Sequence, residues 1–213
     1  MDEEKRRLID EVILREWKMF QKVQNEGGRA DCQDDWKTFR IMREAQYAPW
    51  PAALIELLNI DLMYAEEQGR NLMVEKYARM MISTAPEQFR DIEPHLPVIS
   101  EEKRALTEDI ISIHKSWMEE HARTYPALTA RGRVLYTSQD SEWNTSSETY
   151  LRGELLTWSA GTLKEYLKFL QECQAEGRNL VNEQDESAVK AYGFESLEEA
   201  EQFYRLRQGL QPE

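Results

Sequence analysis

Leu8-Ile9-Asp10-Glu11-Val12-Ile13-Leu14-Arg15-Glu16-Trp17-Lys18-Met19-Phe20-Gln21-Lys22-Val23-Gln24 decides the fold class. Ile9, Ile13, Trp17 and Phe20 recur at helical spacing, and Val12, Met19 and Val23 widen the stripe, so the stretch is an amphipathic helix. Asp2, Glu3 and Glu4 sit at the positive end of its dipole, and Gly27-Gly28 stops it. The same grammar recurs down the chain. Asp34 is an expected N-cap for a second helix through Gln46, which Pro49-Trp50-Pro51 breaks. Ala52 to Gln68 and Leu72 to Ile82 follow on either side of Gly69. Thr84-Ala85-Pro86 opens a short piece, and Pro94 and Pro97 keep that segment irregular. Ser100 caps a long helix with Leu106, Ile110, Ile113 and Trp117 as its buried stripe, ending at Pro126.

Beyond it, Arg133-Val134-Leu135-Tyr136-Thr137 reads equally as a short strand or a loop. Thr145 with Glu148, Thr162 with Glu165 and Ser196 with Glu199 look like capping boxes. The second opens a helix through Gln174, and the third opens a last helix closed near Gly209. The expected architecture is all-α: one domain over residues 1–213, a bundle of about seven helices.

Composition narrows the function classes. Only 9 Gly and 7 Pro in 213 residues favour long regular elements, and six Trp suit a packed core. The net charge of −13, from 40 acidic against 27 basic residues, opposes binding to nucleic acid or to anionic lipid surfaces. No apolar run approaches the roughly 20 residues of a membrane span. Cys32 and Cys173 lie far apart, and Met1-Asp2-Glu3-Glu4 is no secretory leader, so a reducing cytoplasm is expected. Nothing in the sequence indicates oligomeric state.

One echo stands out. Glu67-Gln68-Gly69-Arg70-Asn71-Leu72 resembles Ala175-Glu176-Gly177-Arg178-Asn179-Leu180. Each follows an amphipathic helix, and Gly28-Arg29 follows the first helix in the same way. Glycine C-caps followed by arginines at the negative end of the dipole account for this. The alternative gathers the arginines at one end of the bundle to hold a carboxylate or phosphate.

Two stretches carry a likeness to known sequences. The first runs from Glu16-Trp17-Lys18-Met19-Phe20 through Asn25-Glu26-Gly27-Gly28-Arg29-Ala30-Asp31-Cys32-Gln33-Asp34-Asp35 to Phe39-Arg40-Ile41-Met42-Arg43. The second is Trp143-Asn144-Thr145-Ser146-Ser147-Glu148-Thr149-Tyr150-Leu151-Arg152-Gly153-Glu154-Leu155. Together they resemble an uncharacterised bacterial family, a domain of unknown function numbered four-one-two-five, over nearly the whole chain. The resemblance implies a family and no activity.

The same stretches hold the candidate chemistry. Arg29, Gln33, Asp34 and Asp35 crowd a helix N-terminus, where N–H groups bind anions and paired carboxylates serve as acid and base. The alternative is capping by Asp34 with Arg29 in a surface salt bridge. Cys32 is read as a small buried thiol in preference to a nucleophile. On a helix starting near Ser146, Tyr150 and Glu154 share a face, and Glu148 and Arg152 share the next. That arrangement is either an ion pair or a pocket wall, with Arg152 as anion clamp and Trp143 and Asn144 beside the substrate.

A carboxylate-bridged metal site needs Glu-x-x-His, but Ile111 and Met118 precede His114 and His121 at that spacing, so no metal ligand is assigned. No P-loop, dinucleotide fingerprint, nucleophile elbow or Cys-x-x-Cys is present, which leaves the cofactor open. The leading expectation is a small-molecule enzyme or ligand-binding protein with a polar, Trp-lined pocket. Glu16, Asp34, Asp35 and Glu154 would do acid–base work on a small anionic or zwitterionic metabolite. Arg29, Gln33, Arg70, Trp143, Asn144, Tyr150 and Arg152 would bind it. The competing expectation is a helical interaction module or accessory subunit, with these side chains paired off at the surface and an apolar patch exposed elsewhere.

Overall fold

A computed structural model describes residues 2–24 and 28–207. Among them it has eleven α-helices and no strand: α1 Glu3–Phe20, α2 Trp36–Tyr47, α3 Ala52–Glu67, α4 Leu72–Thr84, α5 Pro86–Ile92, α6 Glu101–Thr124, α7 Pro126–Thr129, α8 Ser147–Leu155, α9 Ala160–Ala175, α10 Leu180–Ala191 and α11 Leu197–Arg207. The expected stop at Gly27 and the closure near Gly209 lie outside the described residues. The all-α class is as the sequence implies. The count rises above seven because Pro86 and Pro126 each open a short helix and because α10 follows the second Gly-Arg-Asn-Leu. Residues 133–136 are loop, Thr137 opens a 3-10 turn through Gln139, and the sole β-pairing among the described residues is an isolated bridge between Ser141 and Asn144.

Several caps fall beside the expected residue. Asp35, not Asp34, caps α2 by accepting Thr38 N–H at 2.9 Å. Ser146 caps α8 in place of Thr145, and Ser159 caps α9 three residues before Thr162. Asp2 and Ser100 cap α1 and α6, and Ser196 accepts Glu199 N–H ahead of α11.

The echo marks a structural duplication. Gly69 and Gly177 take φ of 67° and 68°, the left-handed position that ends α3 and α9. Arg70 then grips Glu75 with two hydrogen bonds of 2.8 and 2.7 Å, and Arg178 grips Glu183 at 2.7 and 2.8 Å. Asn71 caps α4 and donates to Met19 O of α1 at 2.9 Å. Asn179 caps α10 and donates to Trp117 O of α6 at 3.2 Å. Lys5 donates to Ala48 O beyond α2, and Lys103 donates to Leu156 O beyond α8. Trp50 and Trp158 follow those turns and meet edge-on at 5.7 Å.

The packing repeats too. α1 lies on α2, α3 and α4, as α6 lies on α8, α9 and α10. The halves interlock: α4 packs on α8, α10 packs on α2, and α3 meets α9. The fold is therefore a pseudo-twofold whose axis runs near the two tryptophans. Ile9, Val12, Ile13, Trp50, Leu54, Leu58, Ile110, Leu155, Leu163 and Leu170 form its continuous core.

Candidate functional site

Where α2, α4 and α8 converge, charge is buried. Arg43 lies between two carboxylates, with Nη1 2.8 Å from Glu154 Oε1 and Nε 3.3 Å from Glu16 Oε2. Lys76 pairs with the other oxygen of Glu154. Gln46 donates to Glu154 Oε1 at 3.0 Å and accepts from Arg43 at 2.7 Å, and Tyr47 donates to Glu16 Oε1 at 2.7 Å. Glu16, Arg43, Lys76 and Glu154 are all buried. Two positive and two negative groups cancel, the condition under which such burial is tolerated. Burial alone would raise Glu154, but Arg43 and Lys76 hold it far below the usual carboxylate range. Burial wins at Glu16, which is raised despite Arg43. Its Oε2 accepts no hydrogen bond.

Arg43, Gln46 and Glu154 of this cluster form one wall of a cavity of about 600 Å³, a size that holds a metabolite. The cavity lies between α2 and α8, with Tyr77 of α4, Asp185 of α10 and His114 and His121 of α6 on its sides. Tyr150 stands beside the charges. The Lys76 ammonium is 3.4 Å from the centre of its ring and the Arg133 guanidinium 4.5 Å. Lys76 above all, with Arg43, holds the Tyr150 hydroxyl below the ordinary tyrosine range against the effect of burial. Its neighbour Tyr77 moves the other way, raised chiefly by burial. Arg133 makes no ion pair among the described residues and donates only to Thr145 O, at 3.2 Å.

Across the cavity, His121 Nε2 is 3.1 Å from Asp185 Oδ2, and its Nδ1 is 2.7 Å from Asn182 Oδ1. Asp185 lines the cavity with 44% of its side chain accessible. Burial raises its pKa, and His121 opposes the rise. His114 Nε2 meets the Tyr166 hydroxyl at 2.8 Å, and burial lowers its pKa to about 4.

The structure brings together only part of the expected constellation. Glu154 and Tyr150 line the cavity, Asp35 reaches its lip, and Glu16 lies behind Arg43. The rest are ties. Arg29 bonds Asp34 at 2.8 Å on the surface and Gln33 O at 2.9 Å. Gln33 is buried, donating to Phe20 O and Val23 O at the end of α1. Arg70 is held by Glu75, so the arginines gather no common anion. Arg152 spans Glu108 and Glu148. Trp143 is 88% exposed, and Asn144 pairs with Ser141; neither lines the cavity.

The lining is also not tryptophan. Phe20, Phe39, Tyr77, Tyr150 and Tyr166 supply it, while Trp17 and Trp36 pack together behind. Cys32, read as buried, is exposed at the lip, and Cys173 is the buried thiol. No group of three or more His, Cys, Asp or Glu able to hold a metal occurs among the described residues.

Sequence reasoning missed Arg43, Lys76, Arg133, His121 and Asp185. A signal existed for two of them. Phe39, Arg43 and Tyr47 lie four apart on α2, which sets a charge within an apolar stripe. Lys76 follows directly on the Glu75 that the echo's Arg70 holds. The buried face of α6 is also rotated from the expected stripe, running through Thr107, Ile110, Ile111, His114, Trp117 and His121, which carries both histidines inward.

Fold and site together define a duplicated helical protein built around a charged, aromatic cavity. The chain belongs to the family described as Protein of unknown function (DUF4125), whose model matches residues 6–202. No curated protein and no solved structure matches it. No helix among the described residues is long and apolar enough to cross a membrane.

Proposed function

We propose that the cavity binds a small organic molecule carrying an anionic group and that Tyr150 moves a proton to or from it. The observation that carries this reading is the placement of Tyr150, a phenol on the cavity wall between Lys76 and Arg133 and below the ordinary tyrosine range. A perturbed group in a cleft marks a site of proton transfer, and a tyrosine becomes a better acid or base as its pKa moves toward the working pH. Arg133 has its charge free for the ligand's anion. Glu154 has both oxygens engaged and a depressed pKa, so it serves as the anchor that aims Arg43 and Lys76. The acid–base role first expected of Glu16, Asp34, Asp35 and Glu154 passes to Tyr150. An exposed Cys32 fits a reducing cytoplasm, and the charge of −13 disfavours nucleic acid as partner.

The test is a melting screen against organic acids, sugar phosphates and amino acids, with Tyr150→Phe and Arg133→Ala in parallel. A ligand at 100 times its Kd stabilises by about 2.7 kcal/mol. The expected result is a shift lost in Arg133→Ala and kept in Tyr150→Phe, with turnover of the bound molecule lost in Tyr150→Phe. A Tyr150 whose ultraviolet titration matches that of free tyrosine would remove the catalytic role.

A second reading has its own observation. Ile60, Met63 and Tyr64 expose an apolar face on α3, where the equivalent positions of α9 carry Lys168, Gln171 and Glu172. The duplicated scaffold does not require apolar residues there, which favours an interaction module. A protein that binds none of the screened molecules yet self-associates until Met63→Lys is introduced would bring that reading to the front.

A further inference from the structure

On the cavity wall, Arg43 and Glu154 are neutralised together with Lys76 and Glu16 behind them. Asp35 is occupied in capping α2. Two charged groups remain with reach into the open space: Arg133, next to Tyr150, and Asp185, next to His121. They belong to opposite walls. The pseudo-twofold that matches Gly69 with Gly177 and Glu75 with Glu183 also matches Tyr77 with Asp185, so these positions exchange across the axis on which the cavity sits. Tyr77 stands with Tyr150 on the α4–α8 side, and Asp185 stands on the α10–α2 side. Among the described residues only one Asp185 oxygen is engaged, by His121, and the side chain keeps its access to the cavity. The ring faces of Phe39, Tyr166 and His114 share the same space, and such faces attract cations as well as apolar surface.

We propose that Asp185, oriented by His121, receives an ammonium group. The ligand is then a zwitterion, with its amine at Asp185, its anionic group at Arg133 and an apolar or aromatic body between. This deepens the anion-binding reading given above and rests on it. His121 acts as a positioning residue: Asn182 fixes its ring, and its Nε2 holds Asp185 Oδ2, leaving the other oxygen to the ligand.

The experiment uses the full chain and isothermal titration with matched probes that hold the two charges apart: ω-amino acids with an apolar or aromatic body, their N-acetyl derivatives, their des-amino acids and the corresponding amines. Removing the amine charge costs the charge-assisted hydrogen bond at Asp185, so the free amino acid should bind about tenfold or more tightly than its N-acetyl or des-amino counterpart. In Asp185→Asn that preference should collapse to near unity while the des-amino acid binds as before, which also shows the variant to be folded. In Arg133→Ala the preference for an amine should persist while every carboxylate binds more weakly. Des-amino acids that match the amino acids in the unaltered protein overturn the inference and leave the anion pocket standing. An amine preference that survives in Asp185→Asn also overturns it. Failure of every probe to bind overturns both readings.

Discussion

The two halves of the chain keep the same frame and place different chemistry in it. Gly69, Arg70, Asn71 and Glu75 do in the first half what Gly177, Arg178, Asn179 and Glu183 do in the second, nearly bond for bond. At the cavity the match stops. Lys76 answers to Gln184, Glu154 to Gln46, Tyr150 to Met42, Tyr77 to Asp185 and Glu16 to His114. In these two sets, the residues that agree between the halves hold helices together, and the residues that disagree line the pocket or support it. The comparison separates ties from chemistry within a single sequence.

The strongest way to break this distinction is to make the halves alike. Lys76→Gln gives α4 the residue of α10 and leaves Glu154 short of a cation. Loss of one partner from a buried pair should cost about 3–5 kcal/mol in chemical denaturation. Adding Glu154→Gln restores neutrality, with Arg43 facing Glu16 alone, and should recover most of that loss. A double variant as unstable as the single would show that these groups act as packing rather than as charge.

Acid probes the next contrast, between Glu16 and its counterpart His114. The folded pKa of His114, about 4, lies below its ordinary 6.5. The neutral ring therefore contributes stability that is present above pH 6.5 and fades as pH falls toward 4. The loss is about 3 kcal/mol, from 1.36 kcal/mol per pKa unit. In His114→Gln that stretch of the stability curve should flatten. Glu154, also depressed, adds its loss at lower pH, beginning near 4.5, where an unfolded glutamate takes up its proton, and continuing below.

The shared ties give a smaller and matched effect. Asn71→Ala and Asn179→Ala each remove a cap and a bond to the neighbouring helix, and each should cost about 2 kcal/mol. The two lie in separate halves and should add. A large inequality would mean that only one half relies on the motif. Smallest of all, Tyr64→Glu gives α3 the residue of α9 and should shift stability by no more than about 0.5 kcal/mol, as surface changes do.

Local rules made the helices legible. The stripe from Ile9 to Phe20, the Ser100 cap and the Gly69 and Gly177 stops all report short-range chemistry. Caps slipped by a residue where two acceptors adjoin, as with Asp34 and Asp35, because only the chain's approach angle chooses between them. The echo was visible, but its larger meaning was not. That Lys76 is buried depends on α8, and that Asp185 faces open space depends on α2, both contributed by the other half. Arg29, Arg70 and Arg152 looked like ligand groups because the sequence shows an arginine and hides the carboxylate that holds it.

The interlocking of α4 on α8 and of α10 on α2 also governs how the protein is made. The first half leaves the ribosome with α2 still missing the helix that covers it. At about 5–20 residues per second, α10 follows on the order of ten seconds later. Until then the nascent chain exposes an apolar surface, and until α8 is made Arg43 and Lys76 also lack their partner Glu154. Closure of the first half therefore waits on the synthesis of the second, and the waiting half is a natural client for a chaperone at the exit tunnel.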